Sequence, residues 1–400
     1  MSIIADRIKR IKLSPSVAAR GIIAELREQG RSIIDLTIGE PDFSTPTHIC
    51  EAAKRAIDNG QTKYPPAQGV AALRKAIAAR LQLENGIDYP IGQIIVSTGG
   101  KQVLFNALAA TLNEGDEVIV PSPYWVSYPD MVLVNGGEPV IAQTDLASGY
   151  KLTPEVLEAA ITPRTKWLIF NAPSNPTGAV YSAEELRALA DVLVRHPHAW
   201  VMTDDMYARL SFIDRAPSYI LAVAPELADR TLLVNGVSKA YAMTGWRIGY
   251  GAGPAGLVGA MAILQSQSTS GASSISQAAA LEALTGPQGC VDEFAAIFRE
   301  RCEVACDLLA SVPGLTLIRP EGAFYAFPDC AALIGKRTPD GAVIRNDEDL
   351  CLFFLRDAGV AVISGTAYGA PGTFRLSFAA SLDDIRAGCL GIRAACEKLA

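Results

Sequence analysis

Lys239 stands between two short apolar runs, Leu232 to Val234 and Ile248 to Gly251, inside the stretch VNGVSKAYAMTGWRIGYGAG at 234–253. A lysine between buried strands is costly to keep charged, because burial lowers the pKa of an ammonium. A neutral amine of that kind is what Schiff-base chemistry with a carbonyl requires. A lone loop lysine is ordinarily a surface residue, but Arg247, eight positions on, adds a fixed cation suited to bidentate pairing with an anion. Gly99-Gly100-Lys101-Gln102 follows one strand-like run and opens a helical one. Free backbone N–H groups and the positive helix end favour an anion such as phosphate there, although glycines at such turns are also common for steric reasons.

Asp204 and Asp205 end another strand-like run, with Tyr207 close behind. A carboxylate at a buried strand end needs a cationic partner or is desolvated at a penalty. The segment NAPSNPTG at 171–178 follows a strand and precedes a helix, a position where open α/β sheets bind ligands; its Asn and Pro residues also suit a plain turn. Trp125, after Pro121-Ser122-Pro123-Tyr124, is an aromatic at a strand end that would equally fit a core.

The elements that must position these residues follow from the apolar pattern. Strand-like runs at Ile94 to Ser97, Glu117 to Val120, Pro139 to Ala142, Lys166 to Phe170, Trp200 to Thr203, Thr231 to Val234 and Ile248 to Gly251 alternate with helical runs over 101–112, 126–134, 154–161 and 183–195. This predicts an α/β fold with a mostly parallel seven-stranded sheet flanked by helices. Before it come a helix, the tail KLSPSVAAR with Ser14 and Ser16 bracketing Pro15 in an extended link, a second helix to about Gln29, and a strand over 33–38 that ends in Gly39-Glu40-Pro41-Asp42. Thr45 or Thr47 is expected to cap a helix running to Asp58, and Tyr64 lies in the proline-rich connection QTKYPPAQG. After the sheet, two helical pieces over 256–284 and a long helix over 291–309 lead to strands at 315–319, 322–327, 360–363 and 373–378. Residues 1–45 and 290–400 read as one small α+β domain built from both chain ends, and 46–289 as the large domain.

Bulk properties narrow the function. Four hundred residues exceed what one core usually serves. A net charge of −7 argues against nucleic acid or an anionic membrane as partner, so any phosphate must be met by a local cluster. Residues 1–13 lack the apolar run of a signal peptide, and no long apolar stretch follows, so a cytoplasmic protein is expected. The eight cysteines include no CxxC pair or metal spacing, and no metal is expected; Cys302 and Cys306, one helical turn apart, read as buried free thiols.

In combination, a lysine for a carbonyl, an aspartate for a ring nitrogen, an arginine and helix N-terminus for a phosphate, and an aromatic plane describe a pyridoxal phosphate site. The chain resembles the class I aminotransferases of fold type I, near the bacterial subgroup I-beta aspartate aminotransferases. The likeness runs through GEPDF at 39–43, TKYPP at 62–66, STGGKQ at 97–102, PYWVSYP at 123–129, NPTG at 175–178, DDMY at 204–207, SKAYAMTGWRIGY at 238–250, EGAFY at 321–325 and FRLSFA at 374–379.

The resemblance implies that Lys239 bonds the cofactor and then shuttles the substrate proton, that Asp204 keeps the ring nitrogen protonated, and that Asn175 and Tyr207 hydrogen-bond the ring oxygen. It implies that Trp125 stacks on the ring, while Arg247, Ser238 and the N–H groups of Gly100, Lys101 and Gln102 hold the phosphate. Tyr64 is implied to reach the phosphate of a neighbouring subunit, which makes the enzyme a homodimer with sites at its interface. Arg375 is implied to clamp the substrate α-carboxylate beside Trp125 and Asn175, with Gly39 on the loop that closes over it.

Two departures stand out. Gly236 occupies a position where many members carry serine, and the arginine by which other subgroups read a dicarboxylate from the partner chain is not evident in SQSTSGASS at 266–274. In subgroup I-beta that work is implied to fall to Lys101 with Ser14 and Ser16, all present here. L-aspartate and 2-oxoglutarate are therefore the expected pair in a ping-pong reaction, with an aromatic donor or prephenate as the alternative. A β-eliminating lyase on the same fold would lack such carboxylate readers. A ligand-sensing regulator would need a DNA-binding segment, and a dinucleotide oxidoreductase its GxGxxG fingerprint.

Overall fold

The computed structural model describes residues 3–12, 15–213 and 218–400, and of residues 15–20 the backbone alone. In chain order the strands are β1 (Ile34–Asp35), β2 (Ile94–Ser97), β3 (Glu117–Ser122), β4 (Glu138–Gln143), β5 (Thr165–Asn171), β6 (Trp200–Asp204), β7 (Thr231–Gly236), β8 (Gly249–Ala252), β9 (Tyr325–Ala326), β10 (Val360–Ala361), β11 (Ile363–Ser364) and β12 (Phe374–Ser377). Strands β2 to β8 form the expected seven-stranded sheet, ordered β2-β8-β7-β6-β5-β3-β4. Neighbours from β7 through β4 pair in parallel, and β8 runs antiparallel to both β2 and β7.

These segments are strands because both faces of the sheet are covered, which suits near-continuous apolar runs. Successive residues then serve opposite cores. Ile94 and Val96 of β2 and Leu233 of β7 join one core with Leu73, Ile77 and Leu189, while Ile95, Leu232 and Val234 join the other with Val103, Leu104 and Met261. A third core gathers Phe298, Phe324, Phe354 and Phe374 around the helix Gly289–Ala310 and the short strands β9 to β12.

Helix ends follow two different rules. The helix Ala183–Arg195 starts in a capping box, in which Ser182 Oγ accepts from the Glu185 N–H and the Glu185 carboxylate accepts from the Ser182 N–H. The helix Gly100–Thr111 has no side-chain cap; its N-cap, Gly99, sits at φ 84, which favours glycine, and leaves the first N–H groups to other partners.

Several local expectations change. Thr47 begins the helix Thr47–Asp58 behind Pro46 without a side-chain cap. Thr45 instead donates to the Ala242 carbonyl (2.7 Å) and accepts from Trp246 Nε1 (3.0 Å), tying this segment to the loop that carries Lys239. Pro15 and Ser16 open the helix Pro15–Glu28 rather than an extended link, since proline's fixed φ suits a first helical turn. The run 315–319, flanked by Pro313 and Pro320, forms only a single bridge from Thr316 to Asp329, because proline cannot donate to a ladder. The run 322–327 shrinks to β9, and 360–363 divides between β10, which pairs with β1, and β11, which pairs with β12. Cys302 Sγ and Cys306 Sγ lie 3.8 Å apart in the third core. Among the described residues no helix is long and apolar enough to cross a membrane, and no cluster of three or more acidic, His or Cys side chains is arranged to hold a metal.

Candidate active site

The carboxyl ends of β5, β6 and β7 and the start of the helix Gly100–Thr111 open onto a cavity of about 300 Å³. Asp204, the last residue of β6, is 6% exposed and lines it. Its Oδ2 accepts from the Tyr128 hydroxyl (2.7 Å) and its Oδ1 from the Met206 N–H (3.3 Å). Burial outweighs these bonds and the charge of Lys239, and lifts the carboxyl to about 6. A buried carboxyl in that condition lacks a close cation. Asp205 points elsewhere, with Oδ1 accepting from the Thr203 hydroxyl (2.6 Å) and Oδ2 unpartnered, and burial pushes it up to about 7.

Lys239 follows β7 in the connection to β8, and its Nζ donates to the Gly39 carbonyl (2.5 Å). Burial brings its pKa down to about 8; Glu40 opposes that shift, and the Arg247 and Arg375 charges add to it. Half of this amine is therefore unprotonated near pH 8 and most of it above, well below the range of an ordinary lysine, as nucleophilic use requires. Glu40 Oε2 in turn accepts from the Thr244 hydroxyl (2.6 Å).

Arg247 adopts φ 55 and donates from Nη1 to the Thr244 carbonyl (2.8 Å). Its guanidinium lies against Gly99 so closely that a Cβ there would overlap Nη2, and a Cβ on Gly100 would sit 2.6 Å from Met206 Cε. The glycine pair lets a guanidinium and a helix N-terminus share one end of the cavity, an arrangement suited to a phosphate. Ser238 lines the same end and is buried. Gln102 lies beside it in an adjoining hollow; its N–H is engaged by the Gly99 carbonyl (3.1 Å) and its side chain by the Thr98 N–H and the Thr269 hydroxyl. At Gly236 a Cβ would lie 2.9 Å from the Ile248 carbonyl, so the pairing of β7 with β8 leaves a serine no room without movement.

Arg375, on β12, is the second guanidinium of the cavity. It donates from Nη1 to Asn175 Oδ1 (3.0 Å) and from Nη2 to the Thr37 carbonyl (2.7 Å), and its guanidinium lies 4.3 Å from the centre of the Tyr325 ring. Its buried Nε has no partner among the described residues. The Tyr325 and Tyr207 hydroxyls are 3.0 Å apart. Trp125 lines the cavity with Tyr128 edge-on to it, and the Lys101 ammonium sits 4.6 Å over the Trp125 ring. Tyr64 is 92% exposed and does not line this chain's cavity. Ser14 and the side chain of Ser16 lie outside the described residues.

Sequence reasoning did not assign Tyr128, Tyr325 or Glu40, although each lies within a motif already singled out, PYWVSYP, EGAFY or GEPDF. The signal was a polar side chain inside a strand-end motif, and their contacts span residues up to 204 positions apart. The constellation fits a phosphorylated pyridine aldehyde. Arg247 and the uncapped helix start answer a phosphate, the partner-short Asp204 answers a protonated ring nitrogen, and the amine of lowered pKa answers an aldehyde. Arg375, with an unused N–H, answers a carboxylate.

Sheet and cavity together define an α/β group-transfer enzyme for small amino or oxo acids. Residues 31–389 match the family described as aminotransferase class I and II, and the chain belongs to it. It is 51% identical, over the whole of both chains, to the aspartate/prephenate aminotransferase of Cereibacter sphaeroides. The crystal structure of the aspartate aminotransferase from Rhizobium meliloti superposes with a TM-score of 0.98 at 48% identity, covering all of both chains. The aspartate aminotransferase from Thermus thermophilus with maleate gives 0.91 at 41%, covering 99% of this chain and 100% of that one. The fold is that of the fold type I aminotransferases.

Proposed function

We propose that this chain is a pyridoxal-phosphate-dependent aspartate aminotransferase, which moves the amino group of L-aspartate to 2-oxoglutarate in two alternating half-reactions and releases oxaloacetate and L-glutamate. The observation that carries the reading is the convergence of Lys239, Asp204, Arg247 and Arg375 on one cavity. When bound, pyridoxal phosphate supplies an electron sink that makes the substrate Cα–H bond acidic.

The chain's own groups do the rest. Lys239 Nζ would hold the cofactor covalently and, once the substrate's amino group has displaced it, would take a proton from Cα, a task suited to an amine whose pKa is lowered to about 8. Asp204, oriented by the Tyr128 hydroxyl, would hold a proton on the ring nitrogen by its negative charge. Tyr207 and Asn175 would hydrogen-bond the ring oxygen, Trp125 would stack on the ring, and Tyr64 would come from a partner subunit, for which its exposure is supporting evidence. Arg247, Ser238 and the helix N-terminus at Gly100, Lys101 and Gln102 would bind the phosphate, Gln102 only by giving up its N–H bond to the Gly99 carbonyl. Arg375 pairs with the substrate α-carboxylate beneath Gly39, and Lys101, with Ser14 and Ser16, reads the distal carboxylate.

Prephenate, a 2-oxo acid, is a second reading for the acceptor side. It is favoured by the name of the 51% identical relative, and prephenate also carries a second carboxylate for Lys101. The core around Phe298 and Phe374, drawn mostly from residues 1–45 and 290–400 with Tyr207 and Leu210 joining it, supports those residues as a small domain packed against residues 46–289. The enzyme is taken to be a cytoplasmic homodimer.

A panel of aspartate, tyrosine and phenylalanine as donors against 2-oxoglutarate, oxaloacetate and prephenate as acceptors tests the assignment. Aspartate should be turned over efficiently; negligible turnover beside a good rate with another donor refutes it. Lys239→Ala should abolish both activity and the locking of cofactor to protein by borohydride.

A further inference from the structure

Lys101 has room to point in two directions. It lines the active-site cavity and also the adjoining hollow of about 440 Å³ between Thr98, Phe105 and Thr269. A lysine on a flexible four-carbon stem loses rotamer freedom when it is held, so the direction of its ammonium has to be fixed by contacts. Two are present. Lys101 Nζ donates to Ser127 Oγ at 3.0 Å and sits 4.6 Å over the Trp125 ring. Among the described residues no carboxylate pairs with it. Ser127 is the first residue of the helix Ser127–Val134, so its hydroxyl is carried on a fixed element whose Tyr128 is already held by Asp204.

We propose that Ser127 is a positioning residue, which by accepting a hydrogen bond from Lys101 keeps that ammonium in the active-site wall and so sets the preference for substrates with a second carboxylate. The inference rests on the assignment of Lys101 as the distal-carboxylate reader. Burial and, to a smaller extent, the Arg247 charge lower the lysine's pKa, but Arg247 lines both spaces and does not itself choose between them. Trp125 lines the active-site cavity and Ser127 stands two residues after it, so the Ser127 hydroxyl and the Trp125 ring together hold the ammonium against that wall. Trp125 alone would not select one direction, since attraction to a ring face is broad.

Removing the hydroxyl leaves the lysine charged but free to turn into the hollow. A hydrogen bond to a charged group contributes enough that losing it, part-exposed as here, shifts affinity on the order of five- to tenfold. The test is a double-mutant cycle on the holoenzyme with Ser127→Ala, Ser127→Thr, Lys101→Ala and the pair Ser127→Ala/Lys101→Ala, measuring kcat and KM for aspartate and for phenylalanine. Ser127→Ala should raise KM for aspartate about five- to tenfold while phenylalanine changes less than about twofold. Ser127→Thr, which keeps a hydroxyl, should stay near the parent enzyme, and Ser127→Ala should have no further effect once Lys101 is gone.

Equal losses for both donors, or full additivity of the two substitutions, overturn the positioning role and leave the reading of Lys101 standing. If Lys101→Ala leaves the ratio of aspartate to phenylalanine unchanged, the reading of Lys101 falls, and the role of Ser127 with it.

Discussion

Asp204 is held ionisable but short of a cation, and this has a measurable effect on the cofactor-free protein. Burial raises its pKa from an ordinary 3.8 to about 6. In the unfolded chain the carboxyl ionises from about pH 4 upward, whereas the folded protein keeps the proton until about pH 6. Stability therefore falls as pH rises through that window and levels off above it. A shift of about two units corresponds to roughly 3 kcal/mol at full ionisation. Asp204→Asn removes the charge and still offers an oxygen to the Tyr128 hydroxyl, so the cofactor-free variant should match the parent near pH 4 and exceed its stability by up to roughly 3 kcal/mol at pH 8. Urea unfolding at pH 4, 6 and 8, at one protein concentration, reads the difference. Asp205 is common to both proteins, so its own titration largely cancels. A difference that does not change with pH, or a variant less stable than the parent at pH 8, would refute the account of Asp204. With pyridoxal phosphate the order should reverse, because the ring nitrogen supplies the missing cation and asparagine cannot answer it.

Other consequences are as direct. Arg375→Ala should lower kcat/KM on the order of 100-fold or more for every donor alike, since it leaves an α-carboxylate unpaired in a buried site, and Arg375→Lys should restore only part; a loss confined to aspartate would contradict its place. Gly99→Ala puts a Cβ into the Arg247 guanidinium at a φ of 84, so it should weaken cofactor affinity more than substrate KM, and unchanged affinity by cofactor titration would show that the guanidinium has another resting place. Sedimentation should give a dimer, and Tyr64→Ala should loosen the cofactor without dissociating the subunits; a monomer with full activity would rule out a shared site.

Much of the fold was legible because both faces of the sheet are buried, so each of the seven strands appears as an apolar run bounded by polar turns. The helix Ala183–Arg195 was legible to the residue, since Ser182 and Glu185 mark its start chemically. The periphery was less so. β9 to β11 are two residues each, too short for an alternating pattern, and the apolar run at 315–319 lies between prolines. The site was legible where a residue type is unusual for its setting, as with Lys239, Asp204 and Arg247. It was not legible where the role depends on a distant contact. Thr45 looks like a helix cap until Trp246 is beside it, and Tyr325 looks like core until the Tyr207 hydroxyl is 3.0 Å away. Gly236 could be recognised as a departure but not explained, because the Ile248 carbonyl that excludes a side chain sits just before the neighbouring strand β8.

The segment from Gly39 to Thr45 is fastened at both ends of the molecule's working parts. Asp42 forms a bidentate pair with Arg301 of the helix Gly289–Ala310 (2.6 and 2.9 Å), Glu40 and Thr45 hold the loop around Lys239, and the Gly39 carbonyl holds the lysine nitrogen itself. A nitrogen bonded to a cofactor cannot also donate to Gly39 as a free ammonium does, so loading the site and latching this segment compete for one atom. By thermodynamic reciprocity each must weaken the other by the same free energy. Losing that one bond leaves the ties of Asp42, Glu40 and Thr45 in place, so the segment stays fastened while its hold on the lysine nitrogen changes.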